Sequence, residues 1–410
     1  MVIGVTGSVG KTSTRLAIYA VLKGKFSVRT AEKNYNNEIG LALTILGMPH
    51  CGRNIFRWIW HIKRACLRMI FCSRHYPKIL VLEYGIDRPG DMDYLLKLAR
   101  PHIAVVTAIG KVPAHVEFFA SPEELRQEKS KLAAALPQDG YLVLNRDDDG
   151  VYGMKDKTRA RAITYGQEER ADVRISNYEV RLVRDLRGGD EAMPVGISYK
   201  LQYKGSVVPV RLSNALGMPY AYAASAAAGV GIALNMNLVD IADALGGYVP
   251  PPGRMRLIHG IKHSLILDDT YNASPEAMRS AMTTLHDLPA GRRIAVLGDM
   301  LEIGVYTEET HRSIGALAHT CVDVLMCVGA RAKFIADEAI KQGFDRAQVF
   351  TFDDAFSLGR ALDPMVRAGD LILVKGSQSM RMERVVEEIM ADPKQAENIL
   401  VRQDRDWKNI

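Results

Sequence analysis

Cysteine is scarce in this 410-residue chain: there are five, an odd number, and Cys51, Cys66, Cys72, Cys321 and Cys327 include no CxxC pair. That excludes a disulfide scaffold and fits free thiols in a reducing compartment. Long apolar runs are also missing, so no segment reads as a transmembrane helix. The opening Met-Val-Ile-Gly-Val-Thr reads as a buried strand, not a signal peptide. A soluble intracellular protein is the expectation. Charge of one sign is barely in excess, with 53 Lys plus Arg against 47 Asp plus Glu and a net +6. That is too mild to argue for a nucleic-acid partner. What the chain does have is 48% hydrophobic residues and a length that suits two or three domains.

Strand-like and helical patterns alternate through the first half. Strands are expected at residues 2–6, 79–85, 103–109 and 140–145, with helices over 12–22 and 122–136, which implies a parallel, helix-flanked sheet. Residues 172–212 change to alternating runs broken by Gly and Pro, an antiparallel addition. An Ala-rich helix at 219–234 is apolar nearly all round and must be buried. Val249-Pro250-Pro251-Pro252-Gly253 reads as a linker, after which strand and helix alternate again from Ser264 to about residue 390. The expected fold is therefore α/β: a central domain (1–248) with a parallel sheet plus a small antiparallel addition, then a Rossmann-like α/β domain (249–390). Residues 391–410 are polar and expected to form a loosely held tail.

Gly7-Ser8-Val9-Gly10-Lys11-Thr12-Ser13 lies between a strand and a helix. Glycines there let backbone amides wrap phosphate oxygens, the lysine reaches the terminal phosphates, and Thr12 is placed to ligate Mg²⁺. A full-length P-loop has glycine where this chain has Val5, so this is the shorter GxxGK[ST] form. Glu83 ends a buried-looking strand, where a carboxylate meets ligand in an open α/β sheet. On composition alone Glu83 is as readily a solvated surface charge, His115 an ordinary loop histidine and Lys129 a solvated helix lysine.

The short phosphate loop preceded by Thr6 resembles that of the Mur ligase family, ATP-dependent amide ligases of peptidoglycan precursor synthesis. Further stretches resemble its MurF type. Asn34-Tyr35-Asn36-Asn37-Glu38-Ile39-Gly40 is similar to GNxNNxIG, with Lys33 in place of the glycine. Asp268-Asp269-Thr270-Tyr271-Asn272-Ala273-Ser274-Pro275 resembles DDxYNA[NS]P. Leu297-Gly298-Asp299-Met300-Leu301-Glu302-Ile303-Gly304, with His311 beyond, resembles LGDMxELG…H, and Lys375-Gly376-Ser377 matches the last motif. The resemblance implies a ligase using ATP and Mg²⁺ and acting through an acyl phosphate, with a carboxylate acceptor and a small peptide donor. It implies catalytic roles for Lys11, Glu83, His115 and Lys129, with Thr12, Glu83 and His115 as metal ligands and Lys129 carbamylated. The nucleotide would be held by Gly7 to Ser13, Asn145, Arg254 and Asp269, with Asp147 in the same NxDD-like turn. Asn36, Asn37, Tyr271, Asn272, Lys375 and Ser377 would face substrate.

Three departures from the family pattern stand out. The family's N-terminal domain, which grips a UDP-sugar, has no counterpart ahead of residue 7. An acceptor that is not UDP-linked, such as a lipid-linked one, and a nucleotide-binding scaffold without turnover therefore stay open beside the ligase. The motif GxHNxxNALAA appears as Gly217-Met218-Pro219-Tyr220-Ala221-Tyr222-Ala223-Ala224-Ser225, without its histidine and asparagines. Tyr220 or Tyr222 is then either a stacking platform for the base or a core aromatic.

The third departure is an insertion at residues 49–78. It holds seven Lys or Arg (Arg53, Arg57, Lys63, Arg64, Arg68, Arg74, Lys78) and no acid. The insertion therefore contributes +7, and +6 minus +7 leaves −1 for the other 380 residues. On a helix, Ile55, Ile59, Ile62, Cys66 and Ile70 share one face. Arg53, Arg57, His61, Arg64 and Arg68 oppose them, and Phe56, Trp60 and Phe71 lie at the border. Two arrangements fit: the apolar face on the domain with the arginines in water, or the helix in a membrane interface at the inner face. His50, Cys51, Cys66, Cys72 and His75 have spacings that match no zinc motif. Oligomeric state is not legible.

Overall fold

The structure is a computed structural model describing residues 1–31, 35–49, 52, 54–71, 76–184, 192–403 and 407, with backbone alone at 68–71, 184 and 192. Lys33 and Asn34 of the first motif, and His50, Cys51, Arg53, Arg68, Ile70, Phe71, Cys72, Arg74 and His75 of the insertion, lie outside the described residues or their side chains.

Two sheets organise the chain. The first has nine strands: β1 (Val2–Thr6), β2 (Val28–Thr30), β3 (Ile79–Glu83), β4 (Ile103–Val106), β5 (Tyr141–Asn145), β6 (Arg161–Gly166), β7 (Val173–Arg184), β8 (Ala192–Tyr203) and β9 (Ser206–Ser213). Their order is β2-β3-β1-β4-β5-β6-β7-β8-β9. The strands are parallel from β2 to β7, and β7, β8 and β9 then run antiparallel. The antiparallel addition is thus continuous with the parallel sheet. Because β1 is central and covered on both faces, Ile3, Val5, Val81 and Val105 are wholly buried, the near-continuous apolar reading that parallel strands give. The helix Met218–Ala233 packs against the helix Lys11–Leu22, and its small residues permit the approach. A Cβ on Gly231 would lie 2.8 Å from Ile241 and 3.2 Å from Val21.

The second sheet has β10 (Arg256–His259), β11 (Leu265–Asp269), β12 (Arg292–Gly298), β13 (Val324–Val328), β14 (Val349–Phe352) and β15 (Asp370–Lys375), in the order β10-β11-β15-β12-β13-β14. All pairs are parallel except β10 with β11. The segments at the C-terminal ends of β1 and β3 in one sheet, and of β11 and β15 in the other, border one cleft.

Two expectations need correction. The segment after residue 390 is not loose through residue 403. Ala396 and Leu400 are buried, and Arg402 forms an ion pair with the buried Glu383 at 2.7 Å. Its guanidinium also donates to the carbonyls of Thr270 and Tyr271. A polar segment is held here by charge-assisted hydrogen bonds, which composition does not reveal.

The insertion also departs from the ordinary packed arrangement. It forms the helix Ile55–Phe71, which rests on Leu43 and Met48 through Trp58 and Ala65. The isoleucine face is turned outward, with Ile55, Ile59 and Ile62 exposed by 66%, 47% and 54%. No helix among the described residues is long and apolar enough to cross a membrane.

Candidate active site

The phosphate loop is shaped by two glycines. Gly7 has φ 142°, and a Cβ there would fall 1.9 Å from the Thr107 hydroxyl. Gly10 has φ 86° and begins the helix Lys11–Leu22, so both positions suit glycine alone. The amides of Ser8 and Val9 donate to the Ala108 carbonyl at 2.8 and 3.0 Å, tying the loop to the segment that follows β4. The anion site therefore falls to the first amides of the helix, which have no partner within it. The Ser8 hydroxyl is buried and meets no partner among the described residues, as befits a donor kept for a phosphate oxygen.

Beneath the loop the charged groups converge. The Thr12 hydroxyl lies 3.2 and 3.1 Å from the two carboxylate oxygens of Glu83, which is 3% exposed. Arg15 Nε reaches Glu83 Oε2 at 3.3 Å, and the same guanidinium donates to Thr30 and to the Ala31 carbonyl. Sequence reasoning missed Arg15, because an arginine one turn into a helix normally points to water.

Lys11 Nζ donates to the Gly7 carbonyl at 3.0 Å and Lys129 Nζ to the same carbonyl at 2.9 Å. Burial lowers the Lys11 pKa, and Arg254 adds to that while Glu83 and Asp87 oppose it. Burial holds Lys129 well below the usual lysine range, with the charge of Lys11 acting in the same direction. Its neighbour Lys131 instead pairs with Asp93 and Glu128 at the surface, so Lys129 is the inward member of the pair.

The second sheet contributes the opposite wall. Arg254, just past the Pro-rich linker, donates from Nη2 to Thr12 Oγ1 at 3.0 Å and stacks 4.1 Å from the centre of the Tyr271 ring. Asp269 accepts the Met255 amide and pairs with Lys375 at 2.6 Å, and Lys375 also donates to the Asn272 carbonyl. Ser377 Oγ accepts from the Leu301 amide, binding the last motif to the LGDM loop. His311 clamps that loop, accepting the Met300 amide at Nε2 while Nδ1 lies 2.6 Å from the Thr307 carbonyl. His115, with φ 68°, lies 2.6 Å from Glu302 Oε2 and 3.6 Å from Asp87, so it bridges the two units.

These groups line a cavity of about 470 Å³ that includes Lys11, Thr12, Glu83, His115, Arg254, Asp269, Tyr271, Asn272, Lys375 and Ser377. Asn36 lines it as well, whereas Asn37 lies outside it and caps the helix Glu38–Leu46 through the Gly40 amide. Lys129 does not line this cavity; its amine is held on the Gly7 carbonyl.

A second cavity of about 1060 Å³ opens on the other side of Val9 and Gly10, bordered by Asn145, Asp147, Tyr165, Pro219 and Tyr222. Here the two tyrosines separate. Tyr220 is buried against Tyr248 and donates to the Arg254 carbonyl, a core residue that touches the linker. Tyr222 faces the cavity and donates to Asp147 at 2.5 Å. Asn145 Oδ1 accepts the Asp147 amide, which shapes the turn. The arrangement suits a nucleotide with its base beside Tyr222 and its phosphates at Lys11, leading on to the first cavity.

Comparisons with known proteins identify the family. Residues 5–57 and 63–203 match the Mur ligase middle domain, and residues 253–378 match the Mur ligase glutamate ligase domain. The chain is 31% identical over 397 residues to the UDP-N-acetylmuramoyl-tripeptide–D-alanyl-D-alanine ligase of Bacillus subtilis, covering 96% of this chain and 76% of that protein. The enzyme of the same name from Mycobacterium tuberculosis H37Rv is 30% identical over 419 residues, covering 95% and 73%. Among solved structures, the MurF ligase from Thermotoga maritima in complex with ADP aligns with a TM-score of 0.73 at 27% identity, covering 95% of this chain and 79% of that one. MurF from Acinetobacter baumannii, at 24% identity and a TM-score of 0.76, shares the fold.

Proposed function

The chain belongs to the Mur ligase family, and from that premise we propose that it is an ATP-dependent ligase joining a carboxylate to an amine through an acyl phosphate. The relatives are named for D-alanyl-D-alanine and a UDP-N-acetylmuramoyl-tripeptide, and we assign the same donor and acceptor here. The observation that carries the reading is the buried group of Lys11, Thr12, Glu83 and Lys129 around the phosphate loop, met from the second sheet by Arg254.

In the first step the acceptor carboxylate oxygen attacks the γ-phosphorus of ATP and ADP leaves. In the second the donor amine attacks the acyl carbonyl, phosphate departs and the amine loses its proton. Lys11 and Arg254 place positive charge where the transferring group carries negative charge, so these residues work by positioning and electrostatics. Thr12 and Glu83 are hard oxygen donors at one point and fit Mg²⁺. That ion, when bound, neutralises phosphate charge. Arg15 holds the Glu83 carboxylate from behind. His115 and Glu302, one from each unit, meet across the cleft. Lys129, whose pKa burial lowers, offers the amine that a carbamate requires: its nitrogen would add to CO₂ and lose a proton, giving an anionic group beside Lys11.

The test is the purified full chain with Mg²⁺-ATP, UDP-N-acetylmuramoyl-tripeptide and D-Ala-D-Ala. Expected are equal amounts of released phosphate and UDP-linked pentapeptide. A preparation that binds ATP yet yields neither product removes the substrate assignment. Phosphate release with a different acceptor would keep the chemistry and change the acceptor.

A further inference from the structure

The helix Ile55–Phe71 poses a physical question that ligase chemistry leaves open. Among the described residues its apolar contact with the protein is narrow, made by Trp58 and Ala65 on Leu43 and Met48, with the Trp58 indole donating to the Gly52 carbonyl. The rest of its circumference carries Ile55, Phe56, Ile59, Trp60, Ile62 and Leu67, exposed by 47–80%. A helix packed as part of an ordinary core would turn these residues inward, and a patch of this kind marks an interaction site. Arg57, Lys63 and Arg64 are exposed on the same helix. Arg64 sits over the Trp60 ring at 5.3 Å, its stem along the apolar surface and its charge at the edge. The whole insertion has seven basic residues and no acidic one.

We infer that this helix is a docking face for an anionic lipid bilayer, lying in the interface with its aliphatic and aromatic side chains among the acyl chains and its cations at the headgroups. Three features favour lipid over a protein partner. The charge is of one sign, complementary to an anionic surface. Tryptophan flanks the aliphatic residues, the distribution an interface favours. The helix has 17 residues and lies along the surface, long enough to float and too charged to insert across. The docked face is close to the reaction. The helix Glu38–Leu46, about 13 Å long, connects Asn36 in the cleft to the residues that seat the insertion. Docking would hold the acceptor end of the cleft near the membrane surface. The inference stands whether or not the acceptor carries a UDP group.

Vesicle flotation of the full chain tests it, with vesicles of phosphatidylcholine alone and of phosphatidylcholine mixed with phosphatidylglycerol. The wild type should float with the anionic vesicles and stay behind with the neutral ones. F56S/W60S should lose at least about tenfold in partitioning. R57Q/K63Q/R64Q should lose roughly fivefold per charge at low salt. Both variants change exposed side chains, so both should keep the wild-type melting temperature and vesicle-free phosphate release. If one fails to fold, the other still decides. Equal flotation of wild type and variants overturns the inference, as does a wild type that ignores anionic vesicles. A concentration-dependent dimer that F56S/W60S converts to monomer would give the face to a second copy of the chain instead.

Discussion

Arg254 Nη2 lies 3.0 Å from Thr12 Oγ1, although 242 residues and the Pro-rich linker separate the two. Thr12 accepts from Arg254 while donating to Glu83, so the charge that arrives from the second sheet ends at the first residues of the phosphate loop helix. Arg254→Ala should therefore act on the step in which charge develops on the γ-phosphate. The expected result is a fall in kcat of about 10²–10³ with a smaller change in the KM for ATP, read by phosphate release. A variant that loses ATP affinity and keeps kcat would show that Arg254 binds the ground state only.

Arg15 is the buried ion-pair partner of Glu83. Arg15→Met keeps the packing volume and leaves the carboxylate without its cation, which should cost about 3–5 kcal/mol in denaturant unfolding. Arg15→Lys, which restores a charge without the second donor to Ala31, should recover part of that. Equal stability of the two variants would mean that Thr12 alone satisfies Glu83.

Why Arg15 escaped sequence reasoning while Lys11, Thr12 and Glu83 did not is a matter of what each residue answers to. The loop and strand-end residues answer to a ligand, whose chemistry demands particular types at particular spacings. Arg15 answers to β2 and β3, whose proximity is a tertiary fact. The same distinction applies to the two tyrosines after Gly217: spacing left Tyr220 and Tyr222 equivalent, and only the neighbouring Tyr248 and Asp147 separate them. The alternation of strands and helices located the two sheets well, because parallel strands are apolar throughout. The facing of the helix Ile55–Phe71 depends on a small seat formed by Leu43 and Met48, and no periodicity encodes that. The docking of Arg402 on Glu383 hid in a polar segment for the same reason.

Lys129 offers a direct chemical test. In CO₂-depleted buffer the rate should fall, and added bicarbonate should restore it. Lys129→Ala should be slow in both and unresponsive. With ¹³C-bicarbonate, a carbamate resonance should appear in the wild type and be missing from the variant. Full activity after CO₂ depletion, with no such resonance, would leave the free amine in the role.

Asp268 supplies a pH dependence whose sign can be worked out. Burial raises its pKa from 3.8 to about 6, against hydrogen bonds from Thr270 and Gly253 that oppose the shift. Between those values the folded chain holds a proton that the unfolded chain has released. Its contribution therefore favours folding most at low pH and is lost as pH rises through about 6. The change is about 2–3 kcal/mol. Wild-type stability minus that of Asp268→Asn should decline by that amount across the window. A difference that stays flat with pH would assign the carboxylate an ordinary pKa.

Tyr222 lines the wider cavity, and its hydroxyl is anchored by Asp147, which also accepts the amides of Gln167 and Glu168. A ring held at its tip presents a fixed face, and stacking on such a face is worth about 1–3 kcal/mol per base. Tyr222→Ala should thus raise the KM for ATP by roughly fivefold to a hundredfold and leave kcat nearly unchanged, because the base is remote from the transferring phosphate. Tyr222→Phe keeps the face and loses only the anchor, so its effect should be about tenfold or less. Stacking reads every base alike, so the wild type should also discriminate weakly between ATP and GTP. If Tyr222→Ala lowers kcat with KM unchanged, the base lies elsewhere and the wider cavity serves another part of the substrate.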